Sequence, residues 1–148
     1  MFSDLEKTLG GFFLDKMPPL SENLKTNTVK YLPWILIIFG ALGLLSMISL
    51  FGLFGAASVL TMGATGMALM HSLSVFDLIF MYILAPLQSL LVILAGYWML
   101  NRQLTGWRLA LICTLLGFVI HIFHFSLFGL ALDFFFTYLL FQIRESYS

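Results

Sequence analysis

Five ionisable side chains sit within or beside long apolar runs: His71, Asp77, His121, His124 and Asp133. Such a group is costly to hold away from water, so it pairs, faces an aqueous path or binds an ion. Three chemistries fit these residue types and spacings. The first is structural. Asp77 would then be the acid of a helix's first turn, where the helix dipole favours a carboxylate, and a histidine would neutralise Asp133. With a turn centred near residues 128 and 129, His124 and Asp133 stand opposite each other at equal depth, and this predicts that the two are paired. The second chemistry is a proton or solute path, in which a histidine, titrating near neutral pH, passes charge to a carboxylate. The third is a metal site. His121 and His124 occupy neighbouring positions on a helix, and Asp133 and Asp77 supply the further ligands a tetrahedral zinc needs. Met62, Met67, Met70 and His71 add thioether and imidazole groups, a set that Cu(I) accepts.

Other chemistry is excluded. The sequence has no Gly-rich phosphate loop, no His-Glu-x-x-His, no Gly-x-Ser-x-Gly and no cysteine pair. It predicts a non-enzymatic protein with no catalytic residue and no cofactor. Cys113 is the single cysteine, so a disulfide within the chain is impossible.

The elements that carry these residues follow from composition. Of the 148 residues 61% are hydrophobic and 9% are charged, with mean hydropathy +1.03, whereas a soluble domain averages about 25% charged. Charge-free runs at 31–76, 78–101 and 109–132 each exceed the roughly 20 residues a spanning helix needs. A soluble enzyme and a nucleic-acid binder are both excluded, the latter also because the net charge is zero. The expected fold is all-α: a polytopic four-helix transmembrane bundle behind a short amphipathic interfacial helix.

Residues 1–32 form the first unit of that fold. Ser3 with Glu6 is a capping box, and Phe2, Leu5, Leu9 and Phe12 recur at helical spacing until Pro18-Pro19 stops the helix. Asp4, Glu6, Asp15 and Glu22 argue against a cleaved signal. A polar connector, 20–31, leads to Pro33 in the first turn of the first span. Residues 33–148 then hold spans at about 33–54, 75–100, 106–125 and 127–143, with Pro86 kinking the second. The apolar segment 55–74, rich in Gly, Ala, Ser and Thr, is read as an outside linker. Four spans, rather than five, put every Lys and Arg on one side, so both termini are expected in the cytoplasm and the protein in the cell membrane. Tyr31, Trp34, Tyr97, Trp98, Trp107 and Tyr147 fall at that same edge. His71, Asp77, His121, His124 and Asp133 then share the outer half of the bundle.

The first span also carries a small residue at every third position: Gly40, Gly43, Ser46, Ser49, Gly52 and Gly55. Small residues let helix backbones approach where lipid gives no hydrophobic drive, so the stripe predicts close packing within the bundle, with a second copy or with a membrane partner.

The run Lys30-Tyr31-Leu32-Pro33-Trp34 leading to Gly40 and Gly43, with the ending Tyr138-Leu139-Leu140-Phe141-Gln142-Ile143-Arg144, resembles small bacterial four-helix membrane proteins, some of them labelled chromate-transporter-like. The resemblance implies a multi-pass membrane protein. Gly-Gly-Pro, the mark of chromate transporters proper, does not occur in this sequence, so no site residue carries over.

Overall fold

A computed structural model describes residues 2–60, 83–123 and 125–148. Among them the chain is all-α: α1 (Phe2–Asp15), α2 (Glu22–Leu60), α3 (Ala85–Leu100), α4 (Leu104–Phe123), α5 (Leu127–Gln142) and a final turn of 3-10 helix, Arg144–Ser146. Chain neighbours pack on one another, α2 on α3, α3 on α4 and α4 on α5, while α1 docks on α5. The stretch Glu22–Ser49 of α2 and the whole of α4 are long and apolar enough to cross a membrane. The other two apolar helices, α3 and α5, have 16 residues each.

The helix containing Pro33 begins at Glu22, so the expected connector at 20–31 is helical from its third residue and Pro33 lies inside α2. Proline within a helix costs about 3 kcal/mol. Val29, Leu32 and Pro33 are all buried against the core, and a fully buried aliphatic side chain returns about 1.5–3 kcal/mol. Burial of that face therefore outweighs the proline. At its other end α2 runs past Phe54 to Leu60, because Gly55, Ala56 and Ala57 do not stop a helix as a proline would. The rest of the expected linker, 61–74, and the start of the expected second span lie outside the described residues. Pro86 stands near the start of α3, directly after a short π-helical stretch at Ile83 and Leu84, and the rest of the expected kinked span lies outside the described residues.

Two turns use the same device. Arg102 has φ 58° and Phe125 has φ 50°, both left-handed. Around Arg102, the N–H of Gln103 reaches Trp98 O at 3.1 Å and that of Arg102 reaches Met99 O at 3.0 Å. Around Phe125, Ser126 N–H reaches His121 O at 3.0 Å and Phe125 N–H reaches Ile122 O at 3.2 Å. This is the Schellman closure, which satisfies carbonyls left over at a helix end and usually places glycine where Arg102 and Phe125 stand.

The core gathers at the end of the bundle that carries both termini. Trp107 donates its indole N–H to Leu140 O at 2.7 Å, and its ring meets Phe141 edge-on at 5.6 Å. Phe141 in turn stacks on Phe13 of α1, with centroids 5.6 Å apart. Gln142 accepts from Leu20 N–H at 3.2 Å and donates to Phe13 O at 3.4 Å, and Tyr138 donates to Pro18 O at 2.7 Å. The face of α1 buried against protein is that of Glu6, Gly10 and Phe13, with Leu9 packed beside it, while Phe12 of the expected apolar face is exposed.

Candidate functional site: a cavity walled by four helices

Asp133 lies six residues after Leu127, the first residue of α5, whose N-terminus is capped by the Ser126 hydroxyl accepting from Gly129 N–H at 3.3 Å. Its carboxylate Oδ2 stands 2.7 Å from His121 Nδ1 on α4. Exposure of the two side chains is 14% for Asp133 and 35% for His121, so the carboxylate is the more enclosed partner. One turn before His121, Gly117 leaves the carboxylate its space: a Cβ there would lie 3.0 Å from Oδ2 and 3.1 Å from Oδ1. One turn before Asp133, Gly129 does the same for the imidazole, against which a Cβ would collide.

This corrects the expected partner, His124. α4 ends at Phe123 and α5 begins at Leu127, so the turn between them is centred before residues 128 and 129. Moving its centre back by about one helical turn (3.6 residues) puts Asp133 level with Gly117 and within reach of His121. The placement of His124, and of His71, Asp77, Met62, Met67 and Met70, lies outside the described residues. Among the described residues no three of His, Cys, Asp and Glu come together as a metal would require, and the His121–Asp133 pair supplies two donors.

Asp133 also lines a cavity of about 310 Å³ between the helices. Ile35, Leu36, Phe39 and Gly40 come from α2; Gln88, Ser89 and Val92 from α3; Cys113 and Thr114 from α4; and Phe136 joins Asp133 from α5. The polar members are anchored from behind. The Ser89 hydroxyl donates to Ala85 O at 2.9 Å, the Thr114 hydroxyl donates to Ala110 O at 2.9 Å, and Gln88 Nε2 donates to Cys113 O at 3.4 Å. Asp133 is also steadied along its own helix, since Thr137 donates to the Asp133 carbonyl at 2.7 Å. Gln88, Ser89 and Thr114 were not singled out from sequence. The available signal was the adjacent pair Gln88-Ser89 in the apolar sequence of α3 and Thr114 in that of α4.

The small-residue stripe divides in two. A Cβ on Gly40 would stand 2.6 Å from Ile93 Cγ1 and one on Gly43 2.6 Å from Ser89 Oγ, so these two admit α3 to the backbone of α2. Ser46 and Ser49 are exposed and bond to their own helix, at Gly43 O and Leu45 O, and a Cβ on Gly52 would meet nothing within 4 Å. The surroundings of Gly55 lie outside the described residues.

A second polar centre, also not foreseen, ties α1 to the bundle. Glu6 is 8% exposed. It accepts from Arg144 Nε at 2.6 Å and lies 3.6 Å from Arg108 Nε, while the Arg144 guanidinium sits 5.7 Å above the Trp107 ring. No protein-family model, curated protein or solved structure matches this chain.

Proposed function

We propose that this chain is a non-enzymatic, multi-pass protein of the cell membrane, with α2–α5 crossing the bilayer and both termini in the cytoplasm, that holds or moves a small solute at the Asp133 cavity. The observation that carries this reading is the lining of that cavity. A purely structural carboxylate is sealed by its partner, whereas Asp133 opens onto a space bounded by all four apolar helices. Its depth agrees. Asp133 lies eight residues from Phe141, about 12 Å along α5 at 1.5 Å per residue, toward the middle of a hydrocarbon core about 30 Å thick. Charges and aromatics support the orientation, because Arg102, Arg108, Arg144, Tyr31, Trp34, Tyr97 and Trp107 all gather at the end that carries the termini.

Cysteine accessibility tests the reading. In a Cys113→Ala background, Thr114→Cys should react with a small, water-soluble thiol reagent in intact membranes, and Leu116→Cys on the outward face of α4 should not. Equal inertness of both would mean a dry cavity and would overturn the solute site. A second reading, self-association in the bilayer, draws on the outward half of the α2 stripe, where Ser46, Ser49 and Gly52 have no neighbouring helix among the described residues.

A further inference from the structure

The hydrogen-bonding of the cavity wall narrows the solute. Ser89 and Thr114 each have one hydroxyl hydrogen, and in each it is directed at a backbone carbonyl of the preceding turn. Gln88 directs its amide nitrogen at Cys113 O. What Ser89 and Thr114 offer the cavity is therefore lone pairs on two hydroxyl oxygens, and Gln88 offers its amide oxygen beside its second N–H. Asp133 adds carboxylate oxygen, of which only Oδ2 is engaged by His121. Among the described residues no Lys or Arg lines the space. An anion would meet chiefly acceptors, and a hydrocarbon would displace the water that pairs with them without replacing its hydrogen bonds. Leu36, Val92 and Phe136 make the remaining wall apolar, unlike the oxygen cage that strips water from an inorganic cation.

We infer that the cavity binds a small organic ammonium ion, its N–H groups taken by Asp133, Gln88, Ser89 and Thr114 and its apolar body lying against Leu36, Val92 and Phe136. This rests on the solute-site reading and adds the chemical class. At about 310 Å³ the cavity stands at the lower end of the usual range for small-molecule pockets, about 300–1,000 Å³. That suits an ion with a short aliphatic chain rather than a polycyclic one.

The probe is n-butylammonium, set against n-butanol, butyrate and potassium at matched concentration. The full chain is held in nanodiscs of zwitterionic lipid and followed by melting temperature and by protection of Thr114→Cys (in Cys113→Ala) from the thiol reagent. Butylammonium should raise the melting temperature saturably and slow labelling at least fivefold, and the other three should do neither. Asp133→Asn should weaken butylammonium binding at least tenfold. Because that change also disturbs His121, Ser89→Ala with Thr114→Val supplies a second arm that leaves the ion pair intact and should weaken binding at least threefold. Equal responses to butanol, butyrate or potassium, or unchanged affinity in the double variant, would overturn the ammonium assignment. Labelling of Thr114→Cys without any protection by butylammonium would overturn it too, leaving the solute site standing. Failure of the reagent to enter would remove both.

Discussion

Glu6 and Arg144 are 138 positions apart in the chain and meet at 2.6 Å, joining the first helix to the turn that follows the last. The carboxylate is buried while the two guanidiniums near it are roughly half exposed. Removing the acid relieves little repulsion, whereas removing both arginines strands a buried negative charge. Glu6→Ala should cost about 1–2 kcal/mol, less than a fully buried pair because solvent screens the arginines. It should also loosen α1 and speed trypsin cleavage at the already exposed Lys16, and a melting curve with limited proteolysis checks both. Unchanged cleavage would mean that the aromatic stack of Phe13 on Phe141 holds α1 by itself.

The two left-handed turns make a prediction of opposite sign. A non-glycine residue in that conformation costs about 1–2 kcal/mol, so Arg102→Gly should stabilise by about 1 kcal/mol. Asn101, with φ −84°, gains nothing from glycine. Asn101→Gly should lower the melting temperature where Arg102→Gly raises it.

Tyr147 sets an alkaline limit. It is buried, its hydroxyl has no hydrogen-bond partner among the described residues, and burial pushes its pKa from 10.0 up to about 12, against the smaller opposing pull of the Arg102 charge. The folded state therefore favours the neutral phenol. Its contribution is intact below pH 10 and is lost as pH rises toward 12. Tyr147→Phe should remove this alkaline loss and leave stability at pH 7 equal or higher by up to about 1 kcal/mol, since an unpaired buried hydroxyl disappears. Melting temperatures of the two proteins from pH 7 to about 11 should diverge, the Phe variant gaining on the parent as pH rises, and parallel curves would sink it.

Helix packing gives a paired test along the stripe. Gly43→Leu forces α3 off α2 at Ser89 and should destabilise by about 2–3 kcal/mol. Gly52→Leu meets open space and should leave the melting temperature within a degree or so, about the size of an ordinary surface change. If Gly52→Leu instead lowers the apparent mass by cross-linking, the outward half of the stripe is a contact between copies.

Sequence composition made the helical class and the apolar helices legible, and the ends of α4 and α5 fall within about two residues of expectation, the usual uncertainty of a helix boundary. Register was harder. The turn before Leu127 carries Phe125-Ser126, with no glycine or proline to mark it, so a few residues' error in its centre exchanged His121 for His124 as the partner of Asp133. Glu6 looked like an ordinary acid of a capping box, because periodicity along one helix says nothing of an arginine at the other end of the chain. Pro33 misplaced a helix start for a related reason: the burial of Val29 and Leu32 that offsets it is a tertiary fact. The cavity acceptors hid as a few polar residues, which in apolar helices commonly bond to their own backbone.

The His121–Asp133 pair sits in a reciprocal arrangement: Gly117 and His121 are four apart on α4, Gly129 and Asp133 are four apart on α5, and each glycine faces the ionisable residue of the other helix. These positions are tied as a unit of inheritance. A descendant that gains a side chain at Gly129 while keeping His121 has no room for the ring, and one that loses the ring first has an unneutralised Asp133. Gly129→Ala should therefore cost about 2–3 kcal/mol alone and much less beside His121→Ala with Asp133→Asn, as a four-variant melting cycle would report. Drift at this crossing is confined to a narrow order of steps, in which the acid must change before the imidazole and the imidazole before the glycine.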